Sequence, residues 1–445
     1  MRLLLLTLVV SLTPAASTAQ NWPSFRGTSA SGTAERQQLP DDWDATKGTN
    51  ILWRADIPGL AHSSPIVWGD RVFVTTSVSE AGARATRGLQ DVNLLSTDRS
   101  PQSWRVYCLD RATGRVLWMR VAREGAPRSP RHVNATYANS TPVTDGRHVV
   151  AFFGSEGLYC YDFDGKLIWS KDLGVLETGW DPDPSSDYGF GSSPIIHDGL
   201  VILQCDIRRG SFAAAFRVAD GSEAWRVARP ERSGWSTPAI VPGAAPELVL
   251  NGDGFVRGLD PLTGRELWRM AEANGVKIPT PVSDDGLVFI GGGSSSGSRR
   301  FYGVRAGMRG DITLAPDATS SDAIAWRNRA NPHLVTPLVY EGLLYVCTDN
   351  GVLSVYDAKT GEQVYRQRVG PAGAGTFGAS PVAADGKVYF TSQDGDTFVL
   401  RTGKTYELVS TGHLGELVMA SPAIAGGALI FRTDRSVIAV GRKTS

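Results

Sequence analysis

The sequence carries no excess of either charge: lysine and arginine number 45 together, and aspartate and glutamate also number 45. A neutral chain lacks the positive field with which proteins attract nucleic acid or anionic lipid, so we expect neither as a partner. Cysteine is scarce, and the spacings of Cys108, Cys160, Cys205 and Cys347 fit no metal-binding or redox motif. We therefore expect four buried free thiols and no metal site built on cysteine. Disulfide bonds, which an even number of cysteines in an oxidising compartment allows, are the alternative.

Long apolar runs are also missing after the first 20 residues, which argues against a membrane-spanning helix. Residues 1–19 have the pattern of a secretory signal peptide: Arg2 precedes an apolar run over Leu3–Leu12, and Ser17 and Ala19 are the small residues of a cleavage site. No cysteine follows this site, so a lipid anchor is not indicated. A buried N-terminal helix is the alternative. We expect an exported protein, periplasmic or secreted, and a monomer.

Glycine, in contrast, is abundant, with 50 of 445 residues against the ~7% that is usual. This excess indicates many tight turns and therefore many short strands. The length exceeds that of one ordinary compact domain, which leaves several domains or one large repeat architecture.

A short signal recurs eight times: a small or hydroxyl residue, then proline, then an apolar residue. The copies are Ser64-Pro65-Ile66, Thr141-Pro142-Val143, Ser193-Pro194-Ile195, Thr237-Pro238-Ala239, Thr280-Pro281-Val282, Thr336-Pro337-Leu338, Ser380-Pro381-Val382 and Ser421-Pro422-Ala423. The spacings indicate a basal period of roughly 43 residues with three insertions. No helical periodicity is visible within a unit, which argues against a solenoid of helices.

Each repeat continues with short strands, a turn containing Asp and Gly, and in five units an aromatic residue four positions after the glycine. These aromatic residues are Trp118, Trp169, Trp225, Trp268 and Tyr365. Four short antiparallel strands, repeated eight times, predict an all-β, eight-bladed β-propeller with the aromatics between blades. The last repeat lacks a fourth strand, so the segment 51–56 is expected to complete the eighth blade. The propeller would span residues 50–445, after an N-terminal extension at 20–49.

The repeat resembles that of the exported pyrroloquinoline-quinone (PQQ)-type propeller proteins. This resemblance covers roughly residues 50–445, and the opening Trp22-Pro23-Ser24-Phe25-Arg26-Gly27 is similar to the start of many exported members. It implies the eight-bladed fold, which quinoprotein alcohol dehydrogenases share with the outer-membrane assembly scaffold lipoprotein. The repeat motif itself indicates fold and not activity.

The resemblance also implies where a quinone would bind. In the dehydrogenases the cofactor lies between a Trp and a ring formed by two adjacent cysteines, and a carboxylate and an amide bind Ca²⁺. This chain has no adjacent cysteines; Trp235 is the candidate for stacking and Asn139 the comparably placed amide. No match for the calcium-binding Glu or the catalytic Asp is found, so we assign no catalytic residue. Residues Asp181, Asp183 and Asp187 offer carboxylates to Ca²⁺ but lack the Gly and Glu of a known loop, and a solvated loop is the simpler interpretation.

Residues just before each repeat proline should crowd one mouth of the channel. From these we select His62, Asn139, Trp235, Lys277 and His333 as candidate cofactor- or ligand-binding residues. A channel without a ligand is the alternative, and the blade 1 insertion, Ala81–Ser103, is a competing site better suited to a protein partner. The leading hypothesis is a non-catalytic binding or scaffold module. The alternatives are a quinone-dependent dehydrogenase with a diverged site and a scaffold for outer-membrane protein assembly; no cofactor is assigned, and PQQ stays open.

Overall fold

The chain forms eight antiparallel blades around a central channel, as the repeat predicts. The computed structural model describes residues 21–82, 94–179, 187–272, 275, 277–292, 300–330, 332–371, 373 and 375–443. The predicted signal peptide, residues 83–93 of the blade 1 insertion and residues 180–186 of the aspartate-rich loop lie outside the described residues. Across the described ranges the helical elements are two 3-10 turns, Thr28–Ala30 and Gly154–Glu156. No helix there is long and apolar enough to cross a membrane.

Each blade has four strands, labelled a to d from the channel outward. In blades 1 to 4 they are Ile66–Trp68, Arg71–Ser79, Gln102–Asp110 and Val116–Gly125; Val143–Thr144, His148–Phe152, Leu158–Asp162 and Leu167–Lys171; Ile195–His197, Leu200–Cys205, Phe212–Arg217 and Glu223–Ala228; Ala239–Val241, Glu247–Asn251, Phe255–Leu259 and Glu266–Ala271. In blades 5 to 8 they are Val282–Asp284, Leu287–Gly291, Phe301–Arg305 and Ile324–Asn328; Leu338–Tyr340, Leu343–Cys347, Val352–Asp357 and Gln363–Arg368; Val382–Ala384, Lys387–Thr391, Asp396–Arg401 and Leu408–His413; Ala423–Ala425, Ala428–Arg432, Ser436–Gly441 and Ile51–Asp56.

The ring closes with the N-terminal strand, as predicted. Ile51–Asp56 is strand d of blade 8 and pairs antiparallel with Ser436–Gly441, with Arg54 opposite Ile438. One strand from each end of the chain therefore joins the same blade, which closes the ring of blades.

The hydroxyl residue before each repeat proline links neighbouring blades. The Thr141 hydroxyl accepts a hydrogen bond of 2.9 Å from the backbone N–H of Ser64, one blade earlier, and the Ser193 hydroxyl accepts one of 3.0 Å from Thr141. Equivalent bonds join blades 3 to 4, 5 to 6, 6 to 7 and 7 to 8. A residue before proline is held in an extended backbone conformation, and here its N–H points toward the next blade. The recurring Ser or Thr therefore forms a hydrogen-bonded belt around the channel.

The strand-d tryptophans fill the gaps between blades. The indole N–H of Trp118 donates to the Phe163 carbonyl at 2.8 Å, and that of Trp169 donates to the Val218 carbonyl at 2.7 Å, in each case in the next blade. Trp53, Trp225 and Trp326 make the same bond to the following turn. Each indole lies against the turn glycine of the next blade, where a Cβ would come within 2.8 Å of the ring.

Trp268 has the same sequence spacing but a different partner. It is buried between blades 4 and 5, yet its N–H donates to the Glu247 carboxylate of its own blade at 3.1 Å. Blade 5 replaces the tight glycine turn between strands c and d with residues 306–323, so the usual carbonyl acceptor is missing. Tyr365, the fifth aromatic of the pattern, meets Tyr406 edge to face at 6.5 Å.

The N-terminal extension fills the channel from one side. Trp22 forms a two-way backbone pair with Val67 of blade 1, and Thr33–Ala34 pairs in parallel with the innermost strand of blade 7. Between them Arg26 is fully buried and donates to the carbonyls of Pro337 and Pro381 at 3.0 and 2.7 Å. These contacts reach the innermost strands of blades 1, 6 and 7, and the turn Thr28–Ala30 lies against those of blades 4 and 5. Residues 22–34, which we call the plug, therefore close this side of the channel.

Candidate functional site

The face opposite this plug carries the long connections: the loops between strands b and c, and those leading from strand d to the next blade. We call it the loop face. Three of the five candidate residues are linked there. The Asn139 amide donates to the Phe190 carbonyl at 3.1 Å, and the Trp235 indole donates to the neighbouring Gly189 carbonyl at 2.7 Å. The Trp235 backbone N–H in turn donates to the Lys277 carbonyl at 2.8 Å.

The polar groups of these three residues serve the fold. The Asn139 carbonyl oxygen also accepts from the backbone and hydroxyl of Thr136. The Lys277 ammonium is fully buried and donates to the Gly292 carbonyl at 2.9 Å. Burial lowers the pKa of Lys277, an effect that Glu272 and Asp253 partly oppose. The amine therefore does not present its charge to a ligand at the mouth.

His62 lines a small axial cavity with Thr136, Gln393, Met419 and Asp434. The cavity has a volume of about 20 Å³, which is room for one water molecule. Desolvation, with smaller contributions from Arg131 and Arg432, lowers the pKa of His62 to about 4. The imidazole is therefore neutral at physiological pH.

His333 lies elsewhere, in a groove between blades 5 and 6. Its Nδ1 is 2.5 Å from the Asp349 carboxylate, and its side chain is 35% exposed. The five candidates thus occupy the loop face, but His333 lines a different space from His62.

A buried ion network between blades 3 and 4 was missed by the sequence reasoning. Arg229 binds the Asp206 carboxylate through two nitrogens at 2.6 and 3.0 Å, and Glu231 joins Arg229 to Arg257 of blade 4. Arg257 lies in strand c, three residues before Asp260. The equivalent residue of blades 1, 2 and 5 is tyrosine. A charged residue at a position that is tyrosine, alanine or serine in blades 1, 2, 3, 5 and 6 was the available signal. The network links blades 3 and 4 through Glu231. Removing one of its charged partners would leave another buried charge unpaired, so we expect such a change to destabilise the protein.

Blade 1 rises above the loop face. Its strands b, c and d have 9, 9 and 10 residues, while strands b to d of the other blades have 5 or 6. At the base of the insertion the Asp98 carboxylate accepts from Ser79, Ser100 and Gln102. Leu95 then bridges to His132, which ties the end of the insertion to the connection between blades 1 and 2. The Leu94 side chain is exposed here, at 55%.

The residues that the structure describes do not fit a quinone with Ca²⁺. Among the described residues no three His, Cys, Asp or Glu side chains come together as metal ligands. Asp187, the described carboxylate of the aspartate-rich loop, is buried and accepts from Thr178 and from the Gly189 backbone. All four cysteines are free and buried, which confirms the prediction. The rings of Trp235 and Tyr188 meet edge to face, with their centroids 5.6 Å apart.

The sequence matches the family described as outer membrane protein assembly factor BamB over residues 102–295 and 252–445. These two overlapping matches span most of the propeller. The chain belongs to this family. The match confirms the resemblance to PQQ-type repeats that the sequence showed.

Two proteins similar to this sequence have different functions: one is an enzyme and the other an assembly factor. Tetrathionate hydrolase of Acidithiobacillus ferrooxidans is 23% identical over 367 residues, covering 78% of this chain. The chain spans 66% of the length of that enzyme. Outer membrane protein assembly factor BamB of Yersinia pestis is 22% identical over 379 residues, covering 84% of this chain and 83% of the relative.

Solved structures share the fold at low identity. BamB from Moraxella catarrhalis superposes with a TM-score of 0.55 at 14% identity, over 84% of this chain and 99% of that one. A europium-containing methanol dehydrogenase gives 0.63 at 11% identity, over 95% and 89%. The quinohemoprotein alcohol dehydrogenase of Comamonas testosteroni gives 0.63 at 12%, over 96% and 81%. Scaffold and dehydrogenase therefore share this architecture, and function must be argued from the site.

Proposed function

We propose that the protein is an exported scaffold that binds a protein partner through the raised end of blade 1. The observation that carries this proposal is the extension of strands b, c and d beyond those of the other blades, with the Leu94 side chain 55% exposed at the end of the insertion that they carry. Long insertions and exposed apolar side chains on a rigid scaffold are features of surfaces that bind protein partners. The name of the matching family, an assembly factor, supports a role exercised on other proteins.

The channel mouth supports the same choice. A small-molecule site usually offers ~300–1,000 Å³, whereas the axial cavity holds about 20 Å³. Backbone carbonyls accept hydrogen bonds from the side chains of Asn139, Trp235 and Lys277, so these donors are not available to orient a ligand. The opposite side of the channel is filled by residues 22–34.

A photo-crosslinking residue placed at Leu94 in living cells tests the proposal. The expected result is one discrete crosslinked protein, identified by mass spectrometry. The matched control is the same residue at Leu262, which is 50% exposed on the turn between strands c and d of blade 4, on the opposite face. Equal crosslinking at both positions, or none at Leu94, would contradict a docking surface on blade 1.

The enzyme alternative has its own test. The purified protein is incubated with PQQ and Ca²⁺, and dye-linked alcohol oxidation is measured. We expect no turnover above a heat-denatured sample. Turnover that is lost in Trp235→Ala would establish the dehydrogenase instead.

A further inference from the structure

A groove of about 690 Å³ opens between blades 5 and 6, away from the channel and from blade 1. Its walls are the segment after strand d of blade 5 and strands b, c and d of blade 6. The volume lies within the ~300–1,000 Å³ typical of ligand sites. The polar side chains of the lining include Arg329, His333, Asp349, Ser354, Tyr356 and Arg366.

The groove lies where two positions that are aromatic in blade 2 carry small hydroxyl residues. In blade 2, Phe153 follows strand b and Tyr159 stands three residues before the end of strand c. Their rings meet at 6.2 Å and fill the gap toward blade 1. Thr348 and Ser354 occupy the same positions in blade 6. Replacing two rings by two small side chains leaves the space between the blades open.

The charges of the groove favour an anion. Arg329 and Arg366 are exposed, and neither side chain has a hydrogen-bond or ion-pair partner within the described part of the chain. The one carboxylate of the lining, that of Asp349, is already engaged: it meets His333 at 2.5 Å and accepts from the Leu334 backbone at 3.1 Å. The two guanidinium groups therefore face the groove without a competing acid.

We propose that this groove binds a carboxylate-bearing ligand, held by Arg329 and Arg366. The planar guanidinium binds a carboxylate through two parallel N–H donors, which makes arginine the side chain best matched to this group. Ser354 and Tyr356 add hydroxyls to the floor. The carboxylate belongs either to a small organic acid or to an acidic segment of a polypeptide. This site is independent of the partner surface on blade 1.

Isothermal titration calorimetry tests the site with three probes: succinate, the uncharged succinamide, and a hexaglutamate peptide. We expect succinate or the peptide to bind and succinamide not to bind. Arg329→Ala/Arg366→Ala should weaken binding at least tenfold. Thr348→Phe/Ser354→Tyr, which restores the blade 2 residues, should abolish it. Arg147→Ala, an exposed arginine at the turn between strands a and b of blade 2, is the matched control and should bind as the native protein does.

Binding of the peptide without succinate would assign the carboxylate to a polypeptide, and binding of both would assign it to a free acid as well. The proposal is overturned if neither probe binds at millimolar concentration. It is also overturned if the double arginine variant, which changes only exposed side chains, binds as tightly as Arg147→Ala.

Discussion

The contact between Trp169 and Gly221 provides a quantitative test of how neighbouring blades are held together. The indole is 9% exposed, and its N–H donates to the Val218 carbonyl at 2.7 Å. Trp169→Ala should destabilise the protein by ~3–5 kcal/mol, the range for emptying a large buried aromatic site. About 1 kcal/mol of this is the lost hydrogen bond. Trp169→Phe, which keeps a ring but not the donor, should therefore cost ~1–2 kcal/mol.

The glycine side of the contact makes the test sharper. Gly221 has φ of +71°, and a Cβ there would lie 2.7 Å from Cδ2 of Trp169. Gly221→Ala therefore combines left-handed backbone strain of ~1–2 kcal/mol with a clash against the indole. In the Trp169→Ala background the clash is gone and only the strain remains. The two substitutions should therefore be non-additive by at least ~1 kcal/mol.

Urea denaturation followed by circular dichroism measures this cycle. The midpoints are compared at unchanged slope, because a changed slope would report a different unfolding transition. Additive effects of the two substitutions, or an unchanged midpoint for Trp169→Ala, would show that this indole does not bear on the turn of the next blade.

Four further predictions concern other parts of the molecule. A chain beginning at residue 35, without the channel plug, should melt at a lower temperature because buried Trp22 alone contributes ~4–6 kcal/mol as an upper bound; an unchanged melting temperature would refute a structural plug. Thr141→Val leaves the buried N–H of Ser64 without an acceptor and should cost ~1–3 kcal/mol, whereas Thr141→Ser should be nearly neutral in the same denaturation assay. Burial raises the pKa of all four cysteine thiols, so iodoacetamide at pH 8 should label none in the native protein and four after unfolding; rapid native labelling would contradict their burial. The pKa of His62 is lowered to about 4, so between the unfolded value near 6.5 and pH 4 the unfolded state binds a proton that the folded state does not. The free energy of unfolding should therefore fall as the pH is lowered through this window, and it should fall less steeply in His62→Gln. The same pH dependence in the native protein and in His62→Gln would disprove this.

The fold was predictable because its determinants are local and repeated. Each Ser/Thr-Pro signal marks the innermost strand of a blade, and the missing fourth strand of the last repeat pointed to Ile51–Asp56. The spacing from glycine to tryptophan likewise located Trp118, Trp169 and Trp225 between blades. Trp326 was missed because the turn before it is replaced by an insertion, so the glycine that would have marked it is absent.

The site was less predictable because it depends on the orientation and the hydrogen-bond partners of individual side chains in the folded protein. Sequence position placed Lys277 at the mouth but could not show that its amine turns inward to the Gly292 carbonyl. The same reasoning placed His333 at the channel mouth with His62, whereas in the structure His333 lines the groove between blades 5 and 6 and contacts Asp349. Whether His62, Asn139, Trp235, Lys277 and His333 bind a ligand stays a prediction.

The central claim, that blade 1 and not the channel mouth carries the function, is tested most directly by one affinity comparison. The partner identified by crosslinking at Leu94 is titrated against the native protein, a variant lacking residues 83–93, and Trp235→Ala. We predict that the deletion weakens binding at least tenfold, about 1.4 kcal/mol, while Trp235→Ala leaves it unchanged. Binding that survives the deletion and is lost in Trp235→Ala would contradict the claim and place the site at the channel mouth.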